Sequence, residues 1–182
     1  MQTRIRPATI ADAEAIGHVH VVGWRESYRG LIPDRVIDGQ SAAERAQMWR
    51  RSLAADPPVT TVMVAEAGSA LLGFAAGGPR RGGAFAHDGE LYAIYVRRTA
   101  QGAGVGRALV RDHAAALAAR GFGALALWVL RDNLAARQFY GQLGGRVVAE
   151  RMEDAGGFRL NEVAYGWSDI GALRARGERP AA

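Results

Sequence analysis

The chain has 182 residues, 49% of them hydrophobic, which suits one domain, or a small one with an appendage, around a sizeable buried core. It contains no cysteine, which excludes disulfides, zinc thiolate sites and a cysteine nucleophile, and no lysine, which excludes Schiff-base and pyridoxal-phosphate chemistry and a Walker A loop. The net charge of +5 does not point to nucleic acid, because the arginines are scattered among acids and no basic stripe with interleaved aromatics occurs. No apolar run approaches the ~20 residues needed to span a bilayer. The start, MQTRIRPATIADAEAI, has no apolar stretch behind its charges. The expectation is a soluble, cytoplasmic protein with no membrane contact.

Elements follow one another clearly along the chain. Residues 3–7 (TRIRP) alternate and end at Pro7, as an edge strand does. Thr9, with Asp12 three residues on, is placed to cap a helix that carries Ile16, Val19 and Trp24. Gly30 and Pro33 interrupt it, and a second helical pattern runs from Ala42 to Leu53 until ADPP breaks it. Residues 61–78 read as two strands joined at Gly68-Ser69. ELYAIYV (90–96) is a strand, followed by a glycine-rich turn and a helix with Val105, Ala108, Leu109, Ala116 and Leu117 at near-helical spacing. ALALWVL (124–130) is an unbroken apolar run, the mark of a strand buried on both faces. NLAARQFYGQLGG (133–145) is a short helix closed by Gly144-Gly145. RVVAERM and FRLNEVAYGW bracket EDAGG as a last antiparallel pair. The order β-α-α-β-β-β-α-β-α-β-β predicts an α/β fold: a single-domain mixed sheet with helices on its faces, spanning residues 1–170, with a frayed polar tail at 171–182.

The turn Q-G-A-G-V-G-R (101–107) poses the functional question. A dinucleotide-binding fold needs G-x-G-x-x-G, but the sixth position is Arg107 counted from Gly102 and Leu109 counted from Gly104. A nucleotide-binding module of that type therefore fails on the spacing. What remains is a strand-to-helix turn whose amides can face an anion at the helix N-terminus, or a tight turn with no ligand. Arg97, Arg98 and Arg107 stand beside it as phosphate partners or as solvated surface charges.

Gln101, Gly104 and Gly106 fit [Q/R]-x-x-G-x-[G/A], and the strand ELYAIYV, the buried strand, Asn133 and Phe139-Tyr140 stand around this turn in order. This arrangement resembles the GNAT-type N-acetyltransferases, well over Glu90 to Trp167 and more loosely elsewhere. The resemblance implies the acyl-CoA N-acyltransferase fold, a largely antiparallel sheet splayed in the middle with helices on both faces. It implies acetyl-CoA as acyl donor and no metal. His18, His20, His87 and His113 likewise show no metal-binding spacing. By the same resemblance the pyrophosphate belongs on Gln101, Gly102, Ala103, Gly104, Val105, Gly106 and Arg107, with Arg98 beside them. The pantetheine arm runs along Ile94, Tyr95 and Val96, Asn133 bonds it from the far side, and Tyr140 faces the thioester sulfur.

Acyl transfer to an amine needs the amine neutral, so a carboxylate or its bound water is expected to take a proton. Glu90 resembles the family's frequent base, or is an edge carboxylate; Glu162 is a second candidate. Trp24 and Tyr28, four apart on one helical face, line the acceptor pocket or belong to the core. Tyr140 meets the departing thiolate, or is a core aromatic beside Phe139. The expectation is an N-acetyltransferase that moves an acetyl group to a primary amine of a small molecule or protein by direct attack in a ternary complex, with a homodimer as a further expectation. The alternative is an acetyl-CoA-binding regulatory or sensor module without turnover. Neither reading names the acceptor.

Overall fold

Capping and glycine turns set most element boundaries. In a computed structural model, which describes residues 2–175, the Thr9 amide donates to Asp12 Oδ2 at 2.7 Å and the Asp12 amide to the Thr9 carbonyl at 3.0 Å, opening helix α1 (Ala13–Tyr28). Ser41 caps α3 (Ala42–Leu53) by accepting from the Glu44 amide. Between them lies a short α2 (Asp34–Asp38) that the glycine and proline of YRGLIPD had masked in the sequence. Gly104, at φ 81°, ends the glycine turn and caps α4 (Val105–Ala119). Asn133 caps α5 (Leu134–Gln142).

Seven strands form one sheet in the order β1-β2-β3-β4-β5-β7-β6: β1 (Arg4–Pro7), β2 (Thr61–Ala67), β3 (Ala70–Pro79), β4 (Gly89–Val96), β5 (Leu125–Leu130), β6 (Arg146–Asp154) and β7 (Arg159–Trp167). All neighbours are antiparallel except β4 and β5. Those two pair only at Gly89↔Leu125 and Glu90↔Ala126, after which β4 runs on to Val96 and β5 to Leu130 without pairing. The sheet therefore splays in the middle.

The divergence coincides with a bulge. Register against β3 passes from Ala76↔Ala93 to Gly77↔Leu91, so Tyr92 is an extra residue in β4. A bulge bends and twists its strand, and it resets which side chains face which way. Leu91, Ile94 and Val96 pack with α4 and α5, while Ala93 and Tyr95 join the opposite core of α1 and α3.

Two main cores sandwich the sheet, and a smaller cluster gathers Phe85, Ala126 and Ala164. Leu109, Leu117, Leu125 and Leu127 anchor the first; Ile16, Trp49, Val64 and Phe74 anchor the second. A further helix, α6 (Ile170–Ala175), closes the first core. This corrects the expected tail at 171–182: Ile170 and Leu173, three apart on one helical face, are both buried, so ordered structure continues to Ala175. Residues 176–182 lie outside the described residues. Among the described residues no helix is long and apolar enough to cross a membrane.

Candidate active site

A cleft of about 570 Å³ opens where β4 and β5 part. Strand β4 contributes Ile94, Tyr95 and Val96 to its wall, the glycine turn contributes Gln101, Gly102, Gly104, Gly106 and Arg107, and α5 contributes Ala136, Phe139 and Tyr140 with Asn133 at its cap. Most of the sequence-selected donor residues thus share one cavity. Three do not line it. Ala103 is exposed in the turn, Val105 points into the core at 4% exposure, and Arg98 is exposed outside the wall.

The glycine turn is shaped by its backbone. Gly102 (φ 77°) and Gly104 (φ 81°) both take left-handed conformations that residues with a Cβ adopt at a cost of roughly 1–2 kcal/mol. The first i→i−4 bond of α4 runs from the Ala108 amide to the Gly104 carbonyl, at 3.0 Å. The amides of Val105, Gly106 and Arg107 are therefore first-turn donors with no partner within the helix, and they sit at the positive end of its dipole. Gly106 has a separate reason: a Cβ there would meet the Phe139 ring at 3.3 Å, so α4 and α5 approach closely across it. Gln101 fixes the turn to the strand by donating from Nε2 to the Val96 carbonyl at 2.9 Å.

Asn133 serves the helix as well as the cleft. Its Oδ1 accepts from the Ala136 amide at 3.1 Å, which leaves the Nδ2 donors for the cavity. Tyr140 is 8% exposed, and its ring packs edge-on against Phe139 and Trp167 and tilted against Tyr165. Both Phe139 and Tyr140 line the cleft, and Tyr140 is the more buried. Its hydroxyl makes no hydrogen bond among the described residues, and burial pushes its pKa up, so it enters the cleft as a neutral donor.

Glu90 stands apart from the cleft. It lies where β4 and β5 are still paired, at 2% exposure and outside the cleft wall. Its carboxylate accepts from the Arg81 backbone amide at 2.8 Å and from the Arg81 guanidinium at 2.6 and 3.1 Å. The guanidinium in turn lies 4.0 Å over the Tyr92 ring. Glu90 thus ties Arg81, in the segment before β4, to the strand that carries the bulge.

On the α1 side, Trp24 and Tyr28 meet edge-on at 5.2 Å, and the Tyr28 hydroxyl lies 3.4 Å from that of Tyr95. Neither Trp24 nor Tyr28 lines the cleft directly; Glu26 and Ser27 between them do. The Trp24 indole N–H is buried and close enough to the Tyr95 hydroxyl to act on its ionisation, yet it falls short of hydrogen-bond geometry. Burial holds Tyr28 above, and Tyr95 well above, the usual phenol pKa. Behind Tyr95 stands His20, stacked at 5.1 Å and accepting at Nδ1 from Trp49 Nε1 at 3.2 Å. Glu162, at the start of the β5–β7 pairing, is bound to Arg151 at 2.7 Å and makes Tyr28 harder to ionise. Sequence reasoning missed Glu26, Ser27, Ala135, Ala136, Phe139 and Gln142 as wall residues. The α5 members recur at helical spacing with Tyr140, which was the available signal.

A sheet split at its centre, with a helix N-terminus at one end of the gap, is an architecture shared with known proteins. Residues 24–144 match the acetyltransferase (GNAT) family. An uncharacterized N-acetyltransferase of Bacillus subtilis, YuaI, is 38% identical over 173 residues, covering 93% of this chain and 95% of that protein. The chain belongs to the GNAT acetyltransferase family, and with it to the enzymes that transfer acetyl groups rather than to binding modules without turnover. Solved structures agree in fold. The PaiA N-acetyltransferase of Thermoplasma acidophilum in complex with coenzyme A has a TM-score of 0.74 at 21% identity, covering 91% of this chain and 98% of that one. YncA of Salmonella typhimurium, a putative acetyltransferase with its cofactor acetyl-CoA, scores 0.68 at 20% identity over 92% and 94% of the two chains. A ribosomal-protein-alanine N-acetyltransferase of Brucella melitensis scores 0.68 at 22% identity over 90% and 98%.

Proposed function

We propose that this acetyltransferase takes its acetyl group from acetyl-CoA and passes it to a primary amine by direct attack, with both substrates in the cleft at once. The carrying observation is the continuity of one cavity from the first turn of α4 to Tyr140. The pyrophosphate is received by the amides of residues 105–107 and by Arg107, since amides at a helix N-terminus favour an anion. The pantetheine arm lies along Ile94–Val96, whose β5-facing edge is free of strand pairing and offers backbone donors and acceptors as an exposed strand does. Asn133 Nδ2 donates to the arm from the opposite wall.

The acceptor nitrogen attacks the thioester carbonyl from the side of Ser27 and Tyr95, and the departing thiolate meets the Tyr140 hydroxyl. Full proton transfer from a phenol to a thiolate is uphill, so a hydrogen bond that strengthens as charge develops on sulfur supplies the stabilisation. Isothermal titration calorimetry with acetyl-CoA, and mass spectrometry of an amine panel incubated with the protein and acetyl-CoA, test this reading. Gly104→Asp is expected to abolish binding, because its carboxylate repels the pyrophosphate. Unchanged affinity in a folded Gly104→Asp protein would remove the assignment.

A further inference from the structure

Beyond Glu90, strand β4 has no partner on its β5 side, and the end of α1 helps to hold it. A Cβ on Gly23 would lie 2.5 Å from Tyr95 Cδ1, so the helix presses directly on that ring. The Tyr28 hydroxyl lies 3.4 Å from the Tyr95 hydroxyl. Between these two contacts Glu26 accepts at Oε2 from the Arg98 amide at 3.1 Å.

Of Gly23, Glu26 and Tyr28, only Glu26 stands in the cleft wall. Arg98 opens the 3-10 turn Arg98–Ala100, which leads β4 into the glycine turn. The first amides of a helical turn have no partner inside it, and Arg97 before them offers no side-chain acceptor. The carboxylate from α1 fills that role for Arg98. Gln101 Nε2, donating to the Val96 carbonyl at 2.9 Å, pins the other end of the same short path. The glycine turn therefore starts from a backbone fastened at both ends.

The bond to the Arg98 amide leaves the charge of Glu26 in place. Glu26 is exposed, and no arginine pairs with it among the described residues, although Arg97 and Arg98 adjoin the bond and Arg107 lines the same cavity. A neutral amide would cap Arg98 as well as a carboxylate does. What the carboxylate adds is repulsion toward an anion bound at the turn, felt across a Debye length of about 10 Å at 0.1 M salt. Acetyl-CoA and the coenzyme A left after transfer carry the same pyrophosphate, so both are repelled.

We propose, resting on the acetyl-CoA reading above, that Glu26 sets how tightly donor and product are held. Its Oε2 positions the glycine turn through Arg98. Its charge loosens the grip on the pyrophosphate, so that coenzyme A leaves after transfer.

Two variants separate these effects. Glu26→Gln keeps an oxygen for the Arg98 amide and removes the charge; Glu26→Ala removes both. Calorimetry on the full chain reads the affinities for acetyl-CoA and coenzyme A. Glu26→Gln is expected to bind both about two- to tenfold tighter than wild type at low salt, the scale of one exposed charge acting on a doubly charged group. The gain should fade toward 1 M salt, where the Debye length falls to about 3 Å. It should be absent for S-acetylpantetheine, measured by displacement, which has the arm and the acetyl group but no phosphate. Glu26→Ala should bind acetyl-CoA more weakly than Glu26→Gln. Unchanged or weaker binding by Glu26→Gln would overturn the role of the charge, as would a gain that persists in 1 M salt or with S-acetylpantetheine. Equal affinities of the two variants would overturn the positioning role. A folded wild-type protein that binds no acetyl-CoA would instead overturn the reading on which both roles rest.

Discussion

Tyr140 joins two roles that usually sit on different residues. Its ring is part of the core with Tyr165 and Trp167, while its hydroxyl makes no hydrogen bond among the described residues. Tyr140→Phe keeps the packing and removes only the donor. Turnover is expected to fall about 10- to 1000-fold while acetyl-CoA affinity and melting temperature hold. The loss should shrink with a more acidic leaving thiol, and single-turnover measurements with coenzyme A analogues check it. Glu90 makes the opposite case. Removing its charge leaves the Arg81 guanidinium and backbone amide short of an acceptor beside a side chain only 2% exposed. Glu90→Gln should cost about 1–3 kcal/mol of stability, read by urea denaturation, and leave the reaction's pH profile in position. A profile shifted without loss of stability would return Glu90 to the chemistry. Both residues were visible in the sequence by type and position. Their environments were not, because a strand pattern does not say which neighbour reaches across from Arg81.

At the scale of elements, the glycine turn, the α4 it opens and α5 form one unit. Gly106 lets α4 approach Phe139, a wall residue of the cleft. Gly106→Val, whose Cβ starts 3.3 Å from that ring, should overpack the contact by roughly 1–3 kcal/mol and push Phe139 into the cavity. The expected signature is an acetyl-CoA KM raised about tenfold with a smaller drop in kcat; an unaltered KM would place Phe139 out of contact with the donor. The glycine motif could be read directly, since positive φ and close approach leave few alternatives to glycine. The bulge at Tyr92 could not be read. It exists only as a register shift between two strands, and nothing in ELYAIYV marks an extra residue.

At the scale of the whole molecule, two histidines are buried neutral in opposite layers. His20 lies between α1 and the sheet, and His113 of α4 is fully buried with Nε2 donating to the Thr61 carbonyl at 3.2 Å. Burial lowers both pKa values from 6.5 to about 4. As pH falls below ~6.5 the unfolded chain takes up these protons and the native chain does not, so stability declines through the window from 6.5 to 4, where the histidine contribution ends. Each group contributes up to about 3 kcal/mol across that window. Urea midpoints measured from pH 7.5 to 4 should drop accordingly. His113→Gln, although less stable at pH 7, should show a shallower slope by roughly half. A flat profile would mean that both rings protonate in place.

By itself the sequence determined the alternation of elements, the glycine turn, the buried β5 and the positions of Asn133 and Tyr140, and these carried the family and the fold. Each of those signals is local: a cap, a period, a residue that tolerates positive φ. Ile94, Tyr95 and Val96, which the family resemblance singled out, line the cleft. Tertiary structure alone decided that Glu90 is clasped by Arg81, that Tyr28 from α1 reaches Tyr95 from β4, and that Leu173 closes a core. Those facts join residues far apart in the chain, and they depend on the angle at which β4 leaves β5. That angle is set by how the whole sheet twists and packs, which no short stretch of sequence contains.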